Sequence, residues 1–524
     1  MIILSTGAIR DLEEREMSRG VSQEELMERA GKGCAERILE AFPGKRRALA
    51  LIGRGNNGGD GLVIARTLAR AGWEVAVFLS AERTKLGALC ARKLEEWERQ
   101  GGRIASGGSP PWREADVVID ALLGIGMSGE LRGTLADLVS ACNRERARRF
   151  FRTVAVDTPS GLWEGADAAS TAVEADLTLT IGYGKEFLFR EGLSRFVGRI
   201  EVVPIFSERP EGAGSQAIVP EELAPWLPRR SAHCHKGRFG RVLLVGGSRG
   251  FSGAAVLAAQ AAHRVGAGLV NLGVREEIYP IVASRCPPET MVFPISDLEL
   301  FSANRSRATV IAIGPGLGLD RAAEELLADL VERGGPPMIF DADALTLLAR
   351  NPALFERFRF PAVLTPHPGE LRRLLGREIP DAQREEAARE FVERVPATLI
   401  LKGTRTLVAR KGEPLWYNTT GNPGLAAGGS GDTLLGVLAG LVAQGIPPWE
   451  AAKLGVWLHG RAADLLLRSR GVEEGILATE VAEGLGPALR SLREAAARAL
   501  CEQEEWTGKG FRPPAATTSP RSPS

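Results

Sequence analysis

Two α/β units in a single chain, each built around a mostly parallel, doubly wound sheet, are the architecture this sequence predicts. Three observations carry it. Short apolar runs such as ALALIG, DVVID, RVLLVGG and PMIFDAD alternate with helix-period stretches, the pattern of parallel strands covered by helices. The alternation breaks once, at Ser207 to Gln216 (SERPEGAGSQ), a segment rich in Pro, Gly and charge and lacking periodicity. The chain has 524 residues, more than one hydrophobic core usually serves. Residues 1–207 and 217–500 are therefore expected to be separate domains joined by 208–216.

In the first domain, roughly the first 40 residues read as helical. Ser22 and Glu25 form a capping-box pair, after which Leu26, Ala30, Cys34 and Ile38 recur at helical spacing. Strand ALALIG, glycine loop RGNNGGDG, helix LVIARTLARAG and strand WEVAVFLS then make a βαβ unit. Further strands end at Asp120, at Asp157 and near Ile181, so a Rossmann-like domain with ligands at the carboxyl ends of its strands is expected. In the second domain RVLLVGG, GLVNLG, TVIAIG, PMIFDAD, AVLTP and TLILKG read as buried strands. DTLLGVLAGLVAQG reads as an apolar helix entered from a glycine-rich turn. The final GKGFRPPAATTSPRSPS is low-complexity, and 501–524 is expected to be a disordered tail.

Composition narrows the function class. The 66 basic and 65 acidic residues leave a formal charge of +1, so no global field draws the protein to nucleic acid or an anionic membrane. Six scattered Cys without a C-x-x-C pair argue against a disulfide framework. The opening MIILSTGAIRDLEER holds too short an apolar run for a secretory leader, and no later run approaches a membrane span, so a cytoplasmic enzyme is expected.

The loop Gly53 to Gly61 contains G-x-G-x-x-G at Gly53, Gly55 and Gly58, which superficially reads as a dinucleotide fingerprint. Asp60 weighs against that, because its carboxylate would compete with a pyrophosphate at the helix N-terminus. Asn56 and Asn57 suit a polar ligand, or simply a turn that needs left-handed backbone. Asp120 leads into ALLGIGMSGELRG, and Asp157 leads into TPSGL with Ser160. Each Asp alone could cap a helix, but three such loops on one sheet edge describe a site.

In the second half, Gly428-Gly429-Ser430-Gly431 runs into a helix, so free amides and the helix dipole form a pocket for negative charge. Asp432 follows at once, either as a cap of that helix or, with this much glycine before it, placed to take a hydroxyl proton while the amides steady a phosphoryl group. KGTRT puts Lys402, Thr404 and Thr406 at a strand end, near a phosphate or ribose. His367, between two prolines in TPHPGE, is either a substrate contact or a structural histidine. His233 and His235 around Cys234 lack a second cluster at zinc spacing and are not read as a metal site.

NNGGDG (56–61), DALLGIG (120–126) and VDTPSGL (156–162) resemble the NAD(P)H-hydrate epimerase family, over roughly residues 1–205. The resemblance implies that Asn56, Asn57, Gly58, Gly59, Asp60, the loop Gly124, Ile125, Gly126, Met127, Ser128, Gly129 and Glu130, and Asp157 bind the hydrated cofactor. It also implies a potassium ion held by Asn57, Asp120 and Ser160, and either Asp157 or Asp60 as the proton carrier. HKGRFG (235–240), GAGLV (266–270) and GNPGLAAGGSGD (421–432) resemble the ADP- or ATP-dependent NAD(P)H-hydrate dehydratase family, which has a ribokinase-like fold. That implies contacts from Lys402, Gly403, Thr404, Arg405, Thr406 and Gly431 to the nucleotide. Ala254, Gly316 or Gly318, His367 and Asp432 would contact the hydrate. The two in this order resemble the bifunctional NAD(P)H-hydrate repair family, implying NAD(P)HX and ADP as substrates, Mg2+ with the nucleotide, and a homo-oligomer of four or more copies. A small-molecule kinase fused to a dehydrogenase-like module is the competing reading, since its GSGD helix would look the same.

Overall fold

The computed structural model describes residues 2–507 apart from 45, 107, 150, 208, 209, 211–213 and 229, with side chains up to 497. Every strand expected from an apolar run is present, and the strands form two main sheets. The first holds seven parallel strands. Numbered in chain order within that sheet (Arg47–Ile52, Glu74–Leu79, Arg103–Ile104, Val117–Ala121, Arg152–Val156, Leu177–Ile181, Arg199–Val203), they lie side by side as 3-2-1-4-5-6-7. The order reverses between the first and fourth, which opens a crevice beyond their carboxyl ends. Gly53 lines it: a Cβ there would fall 1.7 Å from the Leu122 carbonyl oxygen, so only glycine lets the two loops approach.

The opening helical stretch is two helices, Thr6–Ser18 and Gln23–Ala41, separated by a turn through Gly20 at φ 97°. Ser22 caps the second as expected, its hydroxyl accepting from the Glu25 amide at 3.1 Å. Before them, Ile3–Leu4 pairs in parallel with Gly184–Lys185, a contact with no local sequence signal.

The second sheet has ten strands among the described residues. Seven run parallel in the spatial order Thr290–Pro294, Leu269–Val274, Arg241–Val245, Val310–Ile313, Met338–Phe340, Ala362–Leu364, Ala397–Leu401. An antiparallel hairpin strand, Leu407–Ala409, and two short strands complete it. Its order reverses beside Arg241–Val245, again placing loops 246–252 and 314–318 over a crevice. The apolar helix is Ser430–Ala443, packed against Ser252–Val265.

The units share a core rather than hanging from a free linker. Phe187, Phe189, Phe196 and Val197 of the first are buried in the same cluster as Leu407, Leu415 and Tyr417 of the second. Phe189 and Tyr417 meet ring to ring at 5.3 Å. Gln216, placed at the end of the linker by the sequence, already pairs with Trp416 in the second sheet. The tail expected to be unstructured from 501 differs too: the last helix, Leu485–Thr507, runs through its first residues, and 508–524 lie outside the described residues. Among the described residues no helix is long and apolar enough to cross a membrane, and five Cys are free.

Candidate active sites

At the first crevice the helix Asn56–Arg70 starts directly after Gly55 and brings its first turn against the strand ends. Asn57 donates to the Leu123 carbonyl at 2.9 Å, while its own Oδ1 is buried without a hydrogen-bond partner. Asp120 is fully buried; its carboxylate accepts from the Ser160 amide at 2.8 Å and the Ser160 hydroxyl at 2.6 Å. Burial pushes Asp120 up to about 6 against those hydrogen bonds. A Cβ on Gly124 would lie 3.3 Å from Asp157 Oδ2 and 3.5 Å from Asn57, so the 124–130 loop, the asparagine turn and Asp157 converge. Ile125 in that loop is tied down by Arg10, which donates to its carbonyl at 3.0 Å. Gly126, Ser128 and Glu130 are exposed, and Met127 and Gly129 are half-buried between them.

Asp157 stands where these loops meet. It has a left-handed backbone, φ 68°, and its Oδ1 accepts from the Ile181 amide and from Lys185 Nζ. Lys185 is fully buried and also donates to Thr180 Oγ1 at 2.9 Å and the Ile181 carbonyl at 2.8 Å. Burial, with the Asp157 and Glu13 carboxylates nearby, holds Asp60 well above the ordinary carboxylate range. The Asp60 carboxyl therefore holds its proton more tightly than usual, while its neighbour Asp157 is bound by Lys185. Opposed environments of this kind separate an acid from a base.

At the second crevice Gly429 takes a left-handed conformation, φ 91°, and turns the chain into Ser430–Ala443 with free amides at its start. Asp432 sits in the first turn, after the N-cap position, and that cap makes no side-chain hydrogen bond. Burial first, then the Asp341 carboxylate, pushes Asp432 up to about 6, opposed by Lys402. Lys402 Nζ donates to Asp341 Oδ1 at 2.8 Å and lies 3.9 Å from Glu370. A Cβ on Gly431 would lie 3.4 Å from Lys402 Nζ and 3.6 Å from Asp341 Oδ2, which brings the amide turn, the lysine and two aspartates together. Beneath the turn, His459 lies 3.5 Å from Ser430 Oγ, and burial lowers its pKa to about 4, so it is neutral. Gly318 donates to Asp343 at 2.8 Å, and a Cβ on Gly316 would meet Phe251, which is 63% exposed. Ala254 lies half-buried in the first turn of Ser252–Val265, just after Phe251.

Among the described residues only Asp157 and Ala342 have positive φ without being glycine. One lies in each crevice, at a strand end, where strained backbone commonly serves function.

The raised Asp432 has a measurable consequence. It binds its proton more tightly folded than unfolded, so ionisation costs stability as pH rises from the ordinary carboxylate range through about 6. Asp432→Asn cannot ionise. Its melting temperature relative to wild type is expected to climb between about pH 4 and about pH 6.5 and then level off. A difference that stays flat across that range would contradict the assignment.

Comparison with known proteins decides what kind of enzyme carries these crevices. Residues 23–187 match the family described as YjeF-related protein N-terminus, and 242–486 match NAD(P)H-hydrate dehydratase. The bifunctional NAD(P)H-hydrate repair enzyme of Coxiella burnetii is 36% identical, across 92% of this chain and 98% of its own. The chain belongs to the bifunctional NAD(P)H-hydrate repair enzymes. That of Moorella thermoacetica is 38% identical, across 90% and 93%. A Bacillus subtilis ADP/ATP-dependent NAD(P)H-hydrate dehydratase, co-crystallised with ATP/Mg2+, is 32% identical over 53% of this chain and 99% of its own, with a TM-score of 0.48.

In this repair enzyme the residues expected in the epimerase crevice from Asn56 to Asp60, at Gly124, and at Asp120, Asp157 and Ser160 come together. So do Lys402, Gly431 and Asp432 in the dehydratase crevice. His367 serves two ends: its Nδ1 accepts from the Gly369 amide at 3.0 Å as a helix cap, yet its side chain is 51% exposed beside Lys402. Thr406 Oγ1 donates to the Gly403 carbonyl at 3.2 Å, within its own loop. Arg405 departs from expectation. Its side chain is buried and donates to the Gly198 carbonyl of the epimerase unit, so it is not a free nucleotide contact. The Thr404 and Arg405 amides are likewise taken by Glu191. Sequence reasoning missed Lys185, Glu13, Asp341 and His459. Asp341 was within reach, since FDAD ends a strand as VVID and VAVD do.

Proposed function

We propose that the epimerase unit interconverts the R and S forms of hydrated NADH and NADPH, and that the dehydratase unit restores the S form to NAD(P)H with ADP, releasing AMP and phosphate. The two units correspond to 1–207 and 217–500, in a cytoplasmic homo-oligomer. In the first, Asp60 gives a proton to the departing C6 hydroxyl, the ring nitrogen lone pair stabilises the resulting cation, and Asp157, held by Lys185, takes the proton of the incoming water. Water then re-adds on the other face of the ring. Asn57, Asp120 and Ser160 would hold a potassium ion, whose positive charge would help seat the phosphates. The orphaned Asn57 Oδ1 supports that fit, because a buried acceptor without a donor suits a cation.

In the second unit Asp432 removes the C6 hydroxyl proton, and that oxygen attacks the terminal phosphate of ADP as the bond to AMP breaks. The ring nitrogen lone pair then expels phosphate from C6, and the neighbouring carbon loses a proton to restore the double bond. The Gly428–Gly431 amides and Lys402 steady the phosphoryl group in transit. Asp341, whose Oδ2 faces the turn at Gly431, would hold a magnesium ion with the nucleotide, where it offsets phosphate charge; a carboxylate oxygen suits a hard cation. Gly316, Gly318, Ala254 and His367 line the hydrate's side of the crevice.

The observation that carries this reading is the meeting of Asp432, Lys402 and Asp341 on the amide turn at Gly431. Incubating the protein with mixed NADH hydrates and ADP or ATP, with and without potassium, tests it, each epimer being followed by chromatography. Recovery of NADH supports the reading, whereas accumulation of a stable phosphorylated alcohol would favour a kinase. Asn57→Ala is expected to remove the response of epimerisation to potassium by about tenfold and leave dehydration within twofold. These are order-of-magnitude figures for the loss of one buried ligand. Equal potassium response in variant and wild type would refute the site.

A further inference from the structure

The loop that carries Lys402 joins Ala397–Leu401 to Leu407–Ala409 and lies on the seam between the units. Its two ends are bridged by Arg384, which donates to the Leu401 carbonyl at 2.9 Å and the Arg405 carbonyl at 2.8 Å. Arg384 is itself nearly inaccessible and reaches Glu191 of the epimerase unit at 3.0 Å. The same Glu191 carboxylate accepts from the Thr404 amide at 2.9 Å and the Arg405 amide at 3.3 Å. Two successive amides around one carboxylate form an anion nest. Gly403 packs flush on the pair, since a Cβ there would lie 2.7 Å from Arg384 and 3.2 Å from Glu191.

We propose that Glu191 of the epimerase unit is a positioning residue for the dehydratase, holding the 402–406 loop in the shape that binds nucleotide. This rests on the dehydratase reading above. The carboxylate grips the seam side of the loop, and Lys402 leaves it on the other side to meet Asp341. A second link runs alongside. Asp464 holds the start of the GNPG loop through the Gly421 amide and Asn422 Nδ2, both at 3.1 Å, and is itself attracted by Arg199 of the epimerase unit. Arg384 and the two amides keep Glu191 ionised against its burial. Without the carboxylate, two amides lose their acceptor and a buried guanidinium loses a charged partner, keeping the two carbonyls. The loop would then have to be ordered by the nucleotide itself, which weakens binding without touching the chemical step.

The test uses the full chain. Glu191→Ala is expected to raise the nucleotide KM of dehydration by roughly 10- to 100-fold, the scale of lost charge-assisted hydrogen bonds, with kcat and the epimerisation rate within about twofold. Glu191→Gln keeps an acceptor oxygen and should fall between, a partial rescue that simple seam packing would not produce. A nucleotide KM unchanged in Glu191→Ala, with only the melting temperature lowered, would overturn the proposal. If that variant does not fold, the KM ratio of Glu191→Gln decides by the same criterion. Should wild type show no nucleotide-driven dehydration, the reading of the reaction fails. ADP affinity by calorimetry, compared between wild type and Glu191→Ala, would then still decide whether Glu191 shapes an ADP site, and no ADP binding by wild type would overturn both.

Discussion

Asp432→Asn is expected to lower nucleotide-driven dehydration by about 10²- to 10⁴-fold, the range that a lost general base typically costs, and to leave epimerisation unchanged. Asparagine keeps the shape of the side chain but cannot accept the hydroxyl proton. The carboxylate does not belong to the capping residue, since the N-cap position is Gly429 and Asp432 follows in the first turn. Its elevation to about 6 places it where it can still ionise near neutrality yet bind a proton readily. Dehydration should accordingly fall as pH drops through about 6. Separate assays of the two epimers check the result. Loss of both activities together would mean misfolding or one shared site, since the two carboxylate clusters stand on separate sheets.

The second large effect is expected at the epimerase crevice. Asp157→Asn should reduce epimerisation by a similar factor and also destabilise the fold by about 3–5 kcal/mol, the cost of leaving a buried charge without its partner. Lys185 has no solvent access, and its remaining partners, Thr180 and Ile181, are neutral. The two effects separate in a double variant. Asp157→Asn with Lys185→Met removes the stranded ammonium, so most of the stability returns while epimerisation stays lost. Denaturant unfolding and epimer exchange rates measure the two quantities independently. Recovery of epimerisation in the double variant would show that Asp157 serves only to neutralise Lys185.

Much of this was legible before any coordinates. Parallel strands buried on both faces must be apolar along their length, so TVAVD and TVIAIG announce themselves. A glycine run entering an apolar helix, as in GGSGD, can only be a turn with free amides, and Asp432 then falls in the first turn as the third residue of the helix. The NNGGDG turn and the strand-end aspartates followed from the same reasoning. Lys185 did not, because a two-residue strand pairing with Ile3–Leu4 sets it against Asp157. Nothing within a few residues of GYGKEF records that partner.

The sequence by itself determined the two α/β units, their strands, the glycine turns and the family. Those properties rest on local periodicity and backbone chemistry that each segment carries within itself. Only the tertiary structure decided which charges share a crevice, that the units are welded through a common core, and that the Arg405 loop is gripped by Glu191 instead of standing open. Ion pairs and buried seams join residues far apart in the chain, and a charged side chain looks the same in sequence whether its partner is water or another domain.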